Sequence, residues 1–291
     1  MAIWNLGAIN ADLVYQVLRL PMAGETVGTS EYARYLGGKG ANISVAAVRA
    51  AAQVRHIGAV GPDGTWAINR LREYGVDTRF IETVATPTGH AMIAVDADAE
   101  NQIIIYSGAN RQISEDLIRR ALSEAQAGDI LVMQNETNAQ NYAAGIGRQI
   151  GLTVCYAAAP FDADALQAVL PHLDFLILNA VEAQQLQNAT GLTARDLAVN
   201  DVIVTQGADG CIWYNNRTAT DHRFAAFPVT PLDTTGAGDT FTGYVLAGFD
   251  RGTPMAQTIQ YATRAAAIMV TRHGTADVIP DLNDVQNAQL D

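Results

Sequence analysis

Short aliphatic runs alternate with helical patterns along most of this 291-residue chain, and that alternation is the strongest limit on its fold. Candidate strands are Ile3–Gly7, Val54–Val60, Ala91–Asp96, Gln102–Tyr106, Asp129–Met133, Leu152–Ala157, Asp174–Leu178, Val202–Thr205, Cys211–Tyr214 and Arg223–Val229. Candidate helices are Ala41–Ala52, Thr65–Tyr74, Ser114–Ala127, Ala139–Gln149, Ala163–Leu170, Val181–Ala189, Asp239–Phe249 and Pro254–Thr271. Several of the strands are continuous aliphatic stretches, as expected of strands covered on both faces. The pattern predicts an α/β protein with a mainly parallel sheet.

Two regions break the rhythm. Residues 11–36 contain strand-like pieces with the turn residues Pro21, Gly24 and Gly28, and no convincing helix. Residues 83–107 read as two strands around a polar connection, Asp96 to Asn101. Together they predict a small β-sheet that leaves the body and covers something, a lid that would keep water from a reaction. The plain alternative is a pair of ordinary sheet edges. The expected organisation is a single α/β domain, 1–291, with a lid at roughly 11–36 and 83–107.

Composition narrows the partners. The net charge of −12 argues against non-specific binding to nucleic acid or an anionic membrane, which needs a dense positive surface. Cys155 and Cys211 sit in apolar runs and read as buried thiols, with no disulfide framework or zinc spacing. His56, His90, His172, His222 and His273 are scattered and show no metal spacing. The N-terminus does not read as a signal peptide, and no apolar stretch reaches spanning length. A soluble, cytoplasmic protein is expected.

Of 18 basic residues, 17 are arginine, and Lys39 is the only lysine. It lies in Gly37-Gly38-Lys39-Gly40-Ala41-Asn42. Lysine offers a compact ammonium where arginine offers a broad planar fork, and glycine lets backbone come close to a ligand. The plain alternative is an arginine-rich composition with one surviving lysine in a turn.

A second glycine-rich segment, Asp233-Thr234-Thr235-Gly236-Ala237-Gly238-Asp239-Thr240-Phe241, precedes an apolar helix. The first N–H groups of a helix lack internal partners and carry partial positive charge, so a phosphate fits there. Asp239 at the helix start has a plain explanation as an N-cap. Beside an anion site an acidic residue needs another task, such as taking a proton from a hydroxyl that attacks phosphorus. The segment is not a dinucleotide fingerprint, because Phe241 stands where a third glycine belongs. Nor is 38–40 a Walker A loop, because Gly40 follows Lys39 where Ser or Thr is needed.

These two segments, in this order and at these ends of the chain, resemble the two signatures of the ribokinase-like (PfkB-type) carbohydrate kinase family. The resemblance extends through Gly7 to Asp12, Pro21 to Thr26, Gly58 to Gly64, Ser107 to Asn110 and Thr205 to Gly210, nearly the whole sequence. It implies a three-layer α/β/α fold with a small β lid. It implies that Asn10, Asp12, Gly38, Lys39, Asn42 and Glu136 hold sugar hydroxyls, that Asp239 is the catalytic base, and that the N–H groups of Gly236, Ala237 and Gly238 form an anion hole. Asn179, Thr205, Gln206, Gly207, Ala208, Asp209, Gly210, Gly238 and Thr263 would line an ATP site. Glu182 would organise magnesium through water. Asp233 and Thr235, with carbonyls of Met269, Arg272 and Gly274, would hold a monovalent cation, potassium first.

The residues agree chemically. A furanose is a ring of hydroxyls, and Asn10, Asp12, Asn42 and Glu136 supply short polar groups to read it. Each also has a bland use, as a turn residue, a helix-start residue or a solvated loop carboxylate. Three departures stand out: Asn179-Ala180-Val181-Glu182 lacks a carboxylate common in the family, Tyr156-Ala157-Ala158-Ala159-Pro160 replaces a usual Asn-Pro-Ala-Pro turn, and Thr263 stands where His or Asn is frequent. The resemblance implies ATP-dependent phosphorylation of a sugar hydroxyl, ribose to ribose 5-phosphate, and a homodimer through the lid. The alternatives are a nucleoside, another pentose or a ketohexose as acceptor, and a non-enzymatic sugar-binding regulator.

Overall fold

The computed structural model describes residues 1–98 and 100–290. The strands are β1 (Ile3–Leu6), β2 (Asn10–Val17), β3 (Thr29–Gly37), β4 (Val54–Val60), β5 (Asp77–Thr83), β6 (Gly89–Val95), β7 (Asn101–Tyr106), β8 (Ile130–Gln134), β9 (Thr153–Ala157), β10 (Phe175–Asn179), β11 (Asp201–Thr205), β12 (Cys211–Asn215) and β13 (Thr220–Phe224). The helices are α1 (Lys39–Arg49), α2 (Thr65–Glu73), α3 (Glu115–Leu122), α4 (Gln140–Gln149), α5 (Ala163–Val169), α6 (Ala180–Thr190), α7 (Ala237–Asp250), α8 (Met255–Met269) and α9 (Leu282–Asn287).

A nine-stranded sheet runs β13-β12-β11-β10-β9-β8-β1-β4-β5. It is parallel from β11 to β5, with an antiparallel edge of β12 and β13. Alternate residues of one strand feed two separate cores, because successive side chains of a strand point to opposite faces. In β8, Ile130 and Val132 pack with α1, α2, α7, α8 and α9, while Leu131 and Met133 pack with α3 to α6. The fold is therefore α/β/α, and the aliphatic runs of the sequence are these doubly covered strands.

A second sheet, β3-β2-β6-β7, stands apart. Its strands span residues 10–37 and 89–106, within the two stretches that broke the rhythm but for one residue at each end of the first. By register, Asp12, Ala91, Ile93, Ile103 and Ile105 share one of its faces. β2 leaves β1 after a three-residue turn, and β3 runs directly into α1, so this sheet and the start of α1 are anchored together.

α7 is apolar nearly all round and is buried between α1 and α8. Gly243 permits the approach of α1, since a Cβ there would fall 2.4 Å from the Ala46 Cβ. That contact sets the N-termini of α1 and α7 side by side.

Four sequence expectations change. The strand expected over Arg223–Val229 lies earlier, at Thr220–Phe224, where it can pair with β12; residues 225–230 are irregular, and Pro228 offers no N–H to a ladder. The helix expected over Ser114–Ala127 closes at Leu122. β5 was missed because Asp77, Thr78, Arg79, Glu82 and Thr83 leave only Phe80 and Ile81 as an apolar signal. α9 was missed because a six-residue helix carries too little periodicity.

Candidate active site

Lys39 opens α1 at its first residue, after Gly38 at φ +90°. A cation at a helix N-terminus opposes the helix dipole, so it needs carboxylates from elsewhere. Asp239 raises the Lys39 ammonium most, aided by Glu136, Glu182 and Asp12 and opposed by desolvation. The Lys39 backbone N–H donates to Glu136 Oε2 at 2.9 Å. Glu136 is thus not a freely solvated loop carboxylate. Desolvation holds its carboxyl above the usual carboxylate range, with Lys39 pulling the other way.

Asp239 is the third residue of α7, and the residue at the cap position is Gly236, φ +79°. The N-cap explanation for Asp239 therefore fails. Its Oδ2 accepts instead from Asn42 Nδ2 at 2.9 Å, across 197 positions of sequence. Desolvation raises the Asp239 carboxyl, while Lys39 and Asn42 lower it. Asn42 Oδ1 is buried without a partner among the described residues, an acceptor free to take a hydroxyl. Asp12 is pushed up to about 7 by burial and then by Glu136 and Asp239, with Lys39 opposing. Gly37 makes room for it, since a Cβ there would lie 2.0 Å from Asp12 Oδ2. Asp12, Lys39, Asn42, Glu136 and Asp239 are thereby gathered into one cluster, and Asn10 lies on the same face of β2 as Asp12.

A buried relay beneath the cleft was not visible in the sequence. Gly7 and Gly40 cross so closely that a Cβ on Gly7 would sit 2.5 Å from the Gly40 Cα. Asn5 Nδ2 donates to the Gly40 carbonyl and to Ser44 Oγ, both at 2.8 Å. Gln134 Nε2 donates to Asn5 Oδ1 at 2.9 Å. His56 Nδ1 lies 2.8 Å from Ser44 Oγ, and its Nε2 lies 3.0 Å from the Gly7 carbonyl. Since that carbonyl can only accept, Nε2 carries the proton and Nδ1 accepts from Ser44. Burial pushes the His56 imidazolium down to about 4, so the ring is neutral at pH 7. Both crossing glycines are held by their carbonyls, which fixes the turn leading to Asn10 against the start of α1.

Next to the α7 N-terminus lies a cavity of about 480 Å³. Asn179, Thr205, Gly207, Ala208, Gly210, Gly238 and Thr263 line it, as does Ala237. Gln206 and Asp209, expected with them, are not in its wall: the Gln206 N–H donates to the Gly210 carbonyl at 2.7 Å within the turn, and Asp209 is exposed. The wall also contains Ala226, Phe227, Pro228, Val229 and Pro231, which the sequence had suggested were partly strand. Their signal was the pair of prolines in an apolar segment.

In the first turn of α7 the Ala237 N–H leans on the Thr234 carbonyl at 3.3 Å. Gly238 and Asp239 follow it in the turn whose N–H groups have no internal acceptor. Asn179 and Glu182 form a reciprocal capping box on α6, each carboxyl or amide oxygen accepting the other's N–H at 2.8 Å. Glu182 Oε1 remains, and desolvation raises this carboxyl. Asp233 accepts from the Thr235 N–H at 2.9 Å and from the Gly274 N–H at 3.3 Å, so these three positions do meet. The Met269 carbonyl accepts the Arg272 N–H at 3.0 Å.

The model of the "pfkB family carbohydrate kinase" matches residues 3–282. The ribokinase of Haemophilus influenzae is 34% identical, with 94% of each chain covered. That of Bacillus subtilis is 32% identical, with 97% of each covered. The structure of Arabidopsis thaliana ribokinase complexed with ribose and ATP superposes with a TM-score of 0.84 at 26% identity, covering 98% of each chain.

Proposed function

The chain belongs to the pfkB family of carbohydrate kinases, phosphotransferases with an alcohol as acceptor, and from that premise we propose that it transfers the γ-phosphoryl group of ATP to ribose, giving ribose 5-phosphate. The observation that carries the reading is the contact of Asn42 with Asp239 at 2.9 Å, beside Lys39 and beside the α7 N-terminus. A carboxylate, a cation and a positively polarised helix end share one cleft.

In this reading Asn10, Asp12, Asn42 and Glu136 bind the sugar, and Gly38 lets the backbone approach it. Asp239 takes the proton of the attacking hydroxyl. Lys39 and the N–H groups of 236–238 stabilise charge on the transferring phosphoryl group. ATP occupies the adjoining cavity along Asn179, Thr205–Gly210 and Thr263. The second sheet is the lid of a single domain, and its face bearing Ile93, Ile103 and Ile105 excludes water.

Glu182 fits a magnesium ion held through water and phosphates: one carboxylate oxygen is uncommitted, and no cluster of three or more acidic, His or Cys side chains that could cage a metal occurs among the described residues. Bound magnesium supplies charge neutralisation at the phosphates. Asp233 with the carbonyls around Arg272 and Gly274 is a set of hard oxygens suited to potassium. The Met269 carbonyl and Thr235 complete that set, the former already taking the Arg272 N–H.

A homodimer through the lid is supported by exposed Met92, Ile104 and Tyr32 on the sheet's other face. Free, buried Cys155 and Cys211 suit a cytoplasmic setting. Among the described residues no helix is long and apolar enough to cross a membrane.

The test is ADP release over a panel of ribose, other pentoses, ketohexoses and nucleosides. Ribose is expected to give the highest kcat/KM, and Asp239→Asn to lower kcat by about 10²–10⁴ with sugar binding retained. Preference for a nucleoside, or a near-normal rate in that variant, would refute the reading.

A further inference from the structure

Asn110 lies in the single helical turn Gly108–Arg111 that follows β7, and it is 1% exposed. Its side chain grips the residues that lead into β2. Asn110 Oδ1 accepts from the Ile9 N–H at 2.9 Å. Its Nδ2 donates to the Ile9 carbonyl at 3.3 Å and to Asn10 Oδ1 at 2.7 Å. Gly89, at the start of β6, leaves the space for this contact: a Cβ there would fall 2.2 Å from Asn110 Nδ2 and 2.5 Å from Asn10 Oδ1.

The orientation of both amides follows from one unambiguous donor. The Ile9 N–H can only donate, so the Asn110 atom facing it is oxygen. The other atom is then the NH2, and the Asn10 atom facing that NH2 must be oxygen. Asn10 is left with its own NH2 to offer elsewhere. Asp12, two residues on along β2 and so on the same face of the sheet, carries a carboxyl, an acceptor when ionised.

We propose that Asn110 is a positioning residue that locks the Asn10 amide with its NH2 turned to the acceptor site, making Asn10 an obligatory donor to one sugar oxygen. The inference rests on the reading that Asn10 contacts the sugar. It assigns donor and acceptor roles that the residue types alone leave open, because an amide can present either group. It also ties the sugar contact to the end of β7, so the second sheet and the sugar-reading side chain share one anchor.

The test is Asn110→Asp, alone and combined with Asn10→Ala. The new carboxylate still accepts the Ile9 N–H but cannot donate to Asn10 Oδ1. The Asn10 amide then turns over and presents its oxygen to the sugar. The expected result is a ribose KM raised by at least about tenfold, with kcat and the KM for ATP close to wild type. In the Asn10→Ala background the same change should leave the ribose KM where that background sets it. A fold that merely loses rigidity would raise KM in both backgrounds, and that outcome overturns the proposal, as does an unchanged KM in the single variant. If Asn110→Asp does not fold, Asn110→Ala, which has no side-chain donor, carries the same cycle with the same two outcomes. A wild type that turns over no sugar would instead overturn the kinase reading itself.

Discussion

Replacing Asp12 by Asn should stabilise the sugar-free protein at neutral and alkaline pH while damaging sugar binding. Asp12 is 9% exposed and faces Glu136 and Asp239, so its carboxyl is lifted from 3.8 to about 7. A carboxyl raised on folding holds its proton more tightly in the folded state than in the unfolded one. Its contribution is fully present below 3.8 and is lost as pH rises through about 7. The interval between those values corresponds to about 4 kcal/mol, an upper bound for one group. If relaxation of the cleft recovers half of that, about 2 kcal/mol remains, or about 3 °C in the unfolding midpoint of a chain this long. Asparagine has the same shape and never ionises. Calorimetric melting of both proteins should therefore show nearly equal midpoints at about pH 4 and a variant ahead by several degrees at about pH 8. Ribose should narrow the gap at the higher pH, because its hydroxyls donate to the ionised carboxylate of the wild type. A variant no more stable than wild type at the higher pH, or a gap independent of pH, would refute the electrostatic account of the cleft.

Lys39→Arg should slow transfer by at least about tenfold, equivalent to about 1.4 kcal/mol of barrier, since a planar guanidinium does not replace a compact ammonium among four carboxyls; an unchanged kcat in steady-state assays would remove Lys39 from the chemistry. Ser44→Ala breaks the relay between Asn5 and His56 and should cost about 1–3 kcal/mol in urea unfolding, because it strands buried polar atoms; an unshifted midpoint would show that the relay holds nothing. Ile104→Asp, on the exposed edge strand β7, should give monomers in sedimentation velocity if the lid forms the dimer, and a persisting dimer would move the interface elsewhere.

Local signals in the chain settled a good deal. Aliphatic runs such as Ile130–Met133 can lie only between two helical layers, because every side chain must leave water. Glycine before an apolar helix announced the α7 N-terminus, and a solitary lysine among arginines marked Lys39. The break in rhythm at 11–36 and 83–107 foretold a separate sheet, since two-stranded polar-linked pieces cannot enter a parallel core. Other features depend on residues far apart in the chain, which no window of sequence can pair. The Asn42–Asp239 bond and the clamp of His56 and Asn5 on Gly7 and Gly40 arise only when α1, α7, β1 and β4 pack together, and the Asn110 grip on Asn10 only when the turn after β7 meets the start of β2. The cavity wall at 226–229 reads as strand in the sequence because an apolar run looks the same whether it pairs with a neighbour or lines a pocket. Composition and periodicity report what a residue must hide from water. Which partner it meets there, and so which proton it can hold, is decided by the packing alone.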